Sequence, residues 1–328
     1  MPAPVIRLGL IGHGTVGSAF ATALRQRADA IERSLGVRLH LARVAVRQPA
    51  KHRTRLHGVV VTDDALQIAD EPSLDIIVEA SGALGASHWL QRGLDRGATV
   101  VTANKFAVAA EPALLTALAD GEPRLQIEAA VAAAVPIVRA LRESLAGEEI
   151  LSIRGVLNGT TTCVLSHVER GATFADGLAL AQQHGYAEEN ADLDLSGADA
   201  AAKLALLCTL AWRRPVSLRD VRSGGITSAI ESHVREAARI GQRVRLVASA
   251  HIDQTVHAAV RPTALEASDP LATASDALNV VELRTALAGP LVWSGGGAGG
   301  TRTASALLGD VIAAARALAG TRTTRVAA

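Results

Sequence analysis

Along its first 130 residues the chain alternates short apolar runs with longer amphipathic segments. Val5-Ile6-Arg7-Leu8-Gly9-Leu10-Ile11 predicts a buried strand, and Leu39 to Val46, Leu74 to Ala80, Ala98 to Thr102 and Leu125 to Ala129 are of the same kind. Strands covered on both faces read as near-continuous apolar runs, the habit of parallel sheets. Ser18 to Gln26, with alanines and leucine on one face, predicts the helix that follows the first strand. Strands separated by helices predict an α/β, doubly wound parallel sheet.

After Pro136 the pattern changes. A helix is expected from Ile137 to Ala146, a strand from Glu149 to Leu157, and a largely apolar helix from about Gly197 to Leu210. A glycine run, Gly295-Gly296-Gly297-Ala298-Gly299-Gly300, separates an apparent strand from a final apolar helix, Thr303 to Leu318. At 328 residues the chain exceeds what one core fills. The expected division is 1–135 plus 300–328 as a dinucleotide-binding domain and 136–299 as a second, α+β domain. The final helix then returns to the first domain.

Composition narrows the class. Apolar residues make up 49% but aromatics only 2%, so the cores are built from Ala, Val, Leu and Ile. A net charge of +1 gives no nucleic-acid footprint, which needs a concentrated basic face. The longest apolar run, Ala129 to Val138, is far short of the ~20 residues of a membrane helix. With no signal-peptide pattern at the start, the expectation is a soluble cytoplasmic protein that binds neither nucleic acid nor membrane. Cys163 and Cys208 lack metal-ligand spacing and are expected to be buried and reduced.

Of 33 basic residues only Lys51, Lys105 and Lys203 are lysines, leaving thirty arginines. Arginine evidently serves wherever a positive charge suffices, so a retained lysine is a candidate for proton chemistry. Asp199 and Lys203 lie one helical turn apart, where a carboxylate can hold a partly buried ammonium until its proton is needed. Glu188, Asp192 and Asp194 precede them in a turn suited to the cationic end of an amino-acid-like substrate. In Asn158-Gly159-Thr160-Thr161-Thr162 the hydroxyls can cap a helix or bind a small polar substrate; capping is the commoner use.

The first strand runs into Gly12-His13-Gly14-Thr15-Val16-Gly17 and then a helix, the order in which glycines admit a pyrophosphate to a helix N-terminus. Where an acidic side chain would take the ribose of NAD, Arg47 stands, with Lys51, His52 and Arg53 behind it. That exchange favours NADP(H) over NAD(H), since arginine can hold a 2′-phosphate with two hydrogen bonds. Ser81-Gly82 permits close approach to the nicotinamide ribose. Asn104 and Lys105 follow a strand's carboxyl end, where doubly wound sheets bind ligands.

With these segments the chain resembles the homoserine dehydrogenase family, in a short form, over nearly its whole length. The resemblance rests on Gly12 to Gly17, Val101-Thr102-Ala103-Asn104-Lys105, Glu128 through Pro136, Leu157 to Thr161, Gly185-Tyr186-Ala187-Glu188, Asp194 through Lys203 and the closing glycine loop. It implies a Rossmann-type domain joined to a catalytic and dimerisation domain, and a homodimer. It also implies NAD(P)H-dependent interconversion of L-aspartate 4-semialdehyde and L-homoserine, on the way to threonine and methionine. Carried over, Lys203 is the proton donor, Asp199 its partner, and Lys105 the lysine near the nicotinamide and the reacting carbonyl. Glu188, Asp194, Asp199 and Thr161 bind substrate. Gly12, His13, Gly14, Thr15, Val16, Gly17, Arg47, Ser81, Lys105, Gly185 and Gly299 serve the cofactor. A structural Na+ falls on the backbone carbonyls of Glu128, Val131, Ala133 and Val135.

Three departures stand out. Ala132-Ala133-Ala134 replaces the family's usual glycines, and alanine excludes most of the φ > 0 conformations glycine permits, which weighs against the ion site here. His13 replaces an apolar residue in the glycine loop. Gly224-Gly225-Ile226 stands where an acidic residue usually precedes Gly-Ile. They leave room for a relative acting on another amino-acid semialdehyde; a non-catalytic nucleotide sensor is a further alternative, opposed by Lys203 with Asp199. The chain stops soon after its final helix, without the family's C-terminal regulatory module, which predicts no strong inhibition by threonine.

Overall fold

The computed structural model describes residues 3–52, 56–187 and 189–326. The chain divides into two compact units: Met1–Ala117 with Glu122–Ala130 and Gly300–Ala328, and Leu118–Gly121 with Val131–Gly299. Each carries its own six-stranded sheet.

In the first unit the strands are β1 (Val5–Ile11), β2 (Arg38–Ala45), β3 (Val60–Thr62), β4 (Ile76–Glu79), β5 (Thr99–Thr102) and β6 (Leu125–Gln126), in the order β3-β2-β1-β4-β5-β6. All neighbours are parallel. This is the doubly wound dinucleotide-binding order, in which the strand succession reverses between β1 and β4 and opens a crevice at their carboxyl ends. Ile6, Leu8, Leu10, Ile76, Val78 and Val101 are buried from end to end, as their continuous apolar runs require.

The helix after β1 begins at Thr15, three residues before the start expected from its apolar face, because Gly14 already serves as its N-cap. The last strand is shorter than expected: after Gln126 the chain turns into a 3₁₀ segment, Glu128–Ala130. The final helix starts at Gly300 and buries Ala304, Leu307, Val311 and Ala315 in the core of this unit. Its buried Asp310 accepts the backbone N–H of Glu128 at 2.9 Å. Gly300–Gly320 is long and apolar enough to span a membrane, with 39% of its apolar window buried, a length the run-by-run sequence reading missed.

The second sheet contains β7 (Ile150–Val156), β8 (Val221–Ser223), β9 (Arg243–Ile252), β10 (Val256–Leu265), β11 (Leu278–Thr285) and β12 (Pro290–Gly296), in the order β12-β11-β7-β9-β10-β8. Pairing is antiparallel except between β10 and β8. Helices Gly159–Glu169, Ala198–Trp212 and Glu231–Arg239 pack against β9, where Val244, Leu246, Ala248 and Ala250 are buried. The helix expected from Ile137 to Ala146 is α-helical only to Arg139 and widens into a π turn over Ala140–Ser144. An α/β unit of Rossmann type and a separate α+β unit are the fold classes expected.

Candidate active site

The glycine turn of the first unit divides its labour. Gly12 has φ 93°, and a Cβ there would stand 2.6 Å from Cα of Ser81, so the turn presses against the end of β4. A Cβ on Gly17 would overlap the Gly12 carbonyl oxygen, which fixes close packing of helix on strand. Gly14 has nothing within 4 Å of where its Cβ would stand. The Thr15–Gln26 helix has no side-chain cap at that end. The first-turn N–H groups of Thr15 and Val16 thus head a helix terminus built for an anion.

A cleft of about 950 Å³ opens there, lined among others by Gly12, His13, Gly14, Arg47, His52 and Ser81. Nδ1 of His13 stands 3.2 Å from Nδ1 of His52, with the rings edge to face. Arg47 is exposed at the end of β2, on the cleft wall. Arg53, behind it in sequence, lies outside the described residues.

Glu79, which the sequence reading passed over, organises the opposite wall. It is wholly buried at the carboxyl end of β4. Its Oε1 accepts from the Ser81 N–H at 2.8 Å and from the Ser81 hydroxyl at 2.6 Å, and its Oε2 from the Thr102 hydroxyl at 2.6 Å. The Thr102 oxygen in turn accepts the Asn104 N–H, while Asn104 caps the Lys105–Ala109 helix and donates to the Ala83 carbonyl. One buried carboxylate therefore ties the Ser81 turn to the turn that presents Lys105, whose Nζ lies 4.9 Å above the Phe106 ring. The available signal was a lone acid closing an otherwise apolar strand, Ile76-Ile77-Val78-Glu79.

In the second unit the pair chosen from helical spacing is real and buried. Lys203 Nζ donates to Asp199 Oδ2 and to the Leu157 carbonyl, both at 2.7 Å, and lysine and aspartate are each under a tenth exposed. Asn158, in the loop after β7, donates from Nδ2 to Asp194 Oδ1 at 2.6 Å and to Asp199 Oδ2 at 2.9 Å. The Thr160 hydroxyl lies 2.9 Å from Asp194 Oδ2 and 2.8 Å from the Tyr186 carbonyl, which share its one proton. Burial first, then the charge of Asp199, pushes the Asp194 carboxyl above its ordinary range, against the hydrogen bonds of Asn158 and Thr160 and the charge of Lys203. Asn279, fully buried, donates at 3.3 Å to the Leu157 carbonyl that also receives Lys203.

The remaining expected positions fall as follows. Thr161 is fully buried, with its hydroxyl on the oxygens of Asn158, so capping is the use the geometry gives it; Thr160 is the threonine that reaches the carboxylates. Gly185 has φ 71° in the turn after the Phe174–Gln183 helix, in the second unit and not on the cleft wall. Gly299, with φ 117°, closes the second unit where the chain crosses to the final helix. Glu188 lies outside the described residues. Of the carbonyl set expected for an ion, Glu128 belongs to the first unit and Val131, Ala133 and Val135 to the second. The conformational expectation for this segment is corrected: Ala132 and Ala133 do take left-handed φ, 52° and 44°. Both are buried, and packing overrides the ~1–2 kcal/mol each that alanine pays there. Gly225 is required, since its Cβ would stand 2.6 Å from Cα of Ser196, whereas Gly224 has room. Both cysteines are free and buried.

A crevice at the glycine turn of one unit and a clamped, buried lysine in the other match the parts expected of a two-domain, nicotinamide-dependent dehydrogenase. The homoserine dehydrogenase profile matches residues 136–312, and the profile of the homoserine dehydrogenase NAD-binding domain matches residues 12–131. The homoserine dehydrogenase of Corynebacterium glutamicum is 36% identical over 96% of this chain and 73% of its own length. The crystal structure of a homoserine dehydrogenase from Thiobacillus denitrificans is similar with a TM-score of 0.88 at 34% identity, over 95% of this chain and 73% of that one. A hyperthermophilic archaeal homoserine dehydrogenase mutant in complex with NADPH aligns with a TM-score of 0.79 at 26% identity, over 94% and 97% of the two chains. The chain belongs to the homoserine dehydrogenase family of NAD(P)-dependent oxidoreductases.

Proposed function

We propose that this chain interconverts L-aspartate 4-semialdehyde and L-homoserine, with NADP(H) preferred over NAD(H) and Lys203 as the proton donor. The observation that carries the reading is the Lys203 ammonium, buried and held by Asp199 and the Leu157 carbonyl. These two acceptors at 2.7 Å hold Nζ in place at the head of the acidic group. The bound nicotinamide supplies the hydride. Lys203 delivers a proton from Nζ to the aldehyde oxygen as negative charge develops on it, a step worth ~10²–10⁴-fold. Asp199 orients the ammonium, and Asn158 holds Asp199 and Asp194 in one acidic group suited to the substrate's α-ammonium. Lys105, presented by the Glu79-braced turn, adds positive charge for the carbonyl oxygen.

Arg47 on the cleft wall, with His13 and His52 beside it, supports the preference for a 2′-phosphate. Gly14 leaves the space a pyrophosphate needs, so the residues present fit the cofactor. The left-handed Ala132–Ala133 pair keeps the backbone in the course glycines would allow, which supports keeping a structural Na+ in this segment as part of the reading. A homodimer is assigned to the second unit, which exposes Leu287, Val292 and Leu151. The deciding experiment is NADPH oxidation with L-aspartate 4-semialdehyde, beside other amino-acid semialdehydes. Turnover of this aldehyde is expected. Tight NADPH binding without its turnover would transfer the reading to a different semialdehyde, with the room at Gly224 as the first place to look.

A further inference from the structure

The β9–β10 hairpin carries a cluster that the redox chemistry does not use. His251 in β9 and His257 in β10 are direct cross-strand partners, so their side chains leave the same face of the sheet. Their rings stack with centroids 5.0 Å apart and planes 21° apart. Asp253 sits in the turn between them, and both of its carboxylate oxygens lie 3.1 Å from Nε2 of His257. The turn holds that carboxylate in place. Asp253 Oδ1 accepts the Thr255 N–H at 2.9 Å, and Arg214 donates to the Gln254 carbonyl at 3.3 Å. One ligand atom from each of His251, Asp253 and His257 lies within 4.8 Å of the others, and all three residues are exposed.

We propose that His251, Asp253 and His257 bind a divalent cation of the imidazole-seeking class, Zn²⁺, Ni²⁺ or Cu²⁺, with the remaining position taken by water. Ligand bonds of ~2.0–2.2 Å in a tetrahedral site place neighbouring donor atoms ~3.3–3.5 Å apart. The Asp253–His257 edge, at 3.1 Å, is already within a few tenths of an ångström of that length. The other edges close by side-chain rotation of about 1 Å, which costs little among exposed side chains. Ten paired positions fix the hairpin register, so the two imidazoles are aligned before any ion arrives. Two nitrogen donors and one carboxylate suit these metals and disfavour Mg²⁺ and Ca²⁺, which take hard oxygen ligands. Along the same row of the sheet Ser152 faces His251, and Arg284 faces Ser152. The nearest cation of that row is thus two strand spacings away, ~10 Å, about a Debye length in ordinary buffer; off that row, Arg214 stands closer, on the Gln254 carbonyl.

The test is a titration of tag-free, EDTA-stripped protein with Zn²⁺ at pH 8 against a chromophoric chelator. Far-UV circular dichroism and NADPH binding report that each variant is folded. One equivalent with a micromolar dissociation constant is expected, weakened about tenfold or more in each of His251→Ala, His257→Ala and Asp253→Asn, and unchanged in His184→Ala. Mg²⁺ should not compete. The proposal is overturned by the absence of saturable binding below about 1 mM, or by binding that survives the His251→Ala/His257→Ala double change. Neither result bears on the reading of Lys203.

Discussion

Replacing Lys203 with methionine keeps most of the side-chain volume and removes one buried cation. Asp199 is left with its carboxylate charge, and Asp194, whose carboxyl already sits above its ordinary range partly because of that charge, loses the countering lysine. Stripping one partner from a buried ion pair costs ~3–5 kcal/mol, since the surviving charge stays out of water. The side chains of Lys203 and Asp199 are each 10% exposed, so solvent screening discounts this little. For a unit of this size each kcal/mol shifts Tm by ~2–4 °C, so the second unit should melt on the order of 10 °C lower. Adding Asp199→Asn removes the stranded charge, and the double variant should regain most of that loss. Turnover should not follow. NADPH oxidation with L-aspartate 4-semialdehyde should fall ~10²–10⁴-fold in both variants, with NADPH binding retained. If Lys203→Met keeps more than about a tenth of kcat, the proton donor is elsewhere. Equal melting temperatures for the single and double variants would refute the electrostatic argument.

Arg47→Ala should raise the KM for NADPH ~10–100-fold, the worth of a charge-assisted pair of hydrogen bonds, and leave that for NADH nearly unchanged; parallel losses would remove Arg47 from 2′-phosphate recognition. Asp194 has a pKa raised by folding, so its contribution to stability is present below the ordinary carboxylate range and is lost as pH rises through the raised value. Thermal melts of Asp194→Asn and the parent should therefore diverge in favour of the variant as pH rises above the ordinary carboxylate range, and a pH-independent difference would contradict the burial argument. Ala132→Gly and Ala133→Gly each relieve ~1–2 kcal/mol of left-handed alanine and return ~0.4–1 kcal/mol of chain entropy. Equal or slightly higher melting temperatures are expected, and a clear drop in either would show that the methyl groups contribute more by packing than they cost in backbone strain.

What could be read from the chain depended on how far apart the interacting residues lie. The glycine turn, the apolar strands and the Asp199–Lys203 pair are local patterns, with partners no more than a helical turn away, and spacing alone exposes them. β3 escaped notice because three half-exposed residues at a sheet edge carry little apolar signal. The ten-residue strands β9 and β10 were not drawn either, since buried Arg245 and the alternating alanines blur their period. The carboxylate group around the lysine is of another kind. Asn158 joins Asp194 and Asp199 across 36 and 41 residues, and Glu79 reaches Thr102 across 23. No periodicity encodes such links, because they depend on where the fold brings loop ends together. The alanine pair shows the same limit from the other side. Backbone preference argued against left-handed φ at Ala132 and Ala133, but a preference of ~1–2 kcal/mol is smaller than what a buried segment gains from packing. Local energetics therefore name candidate residues, while the tertiary fold decides which threonine meets the carboxylates and which one caps a helix.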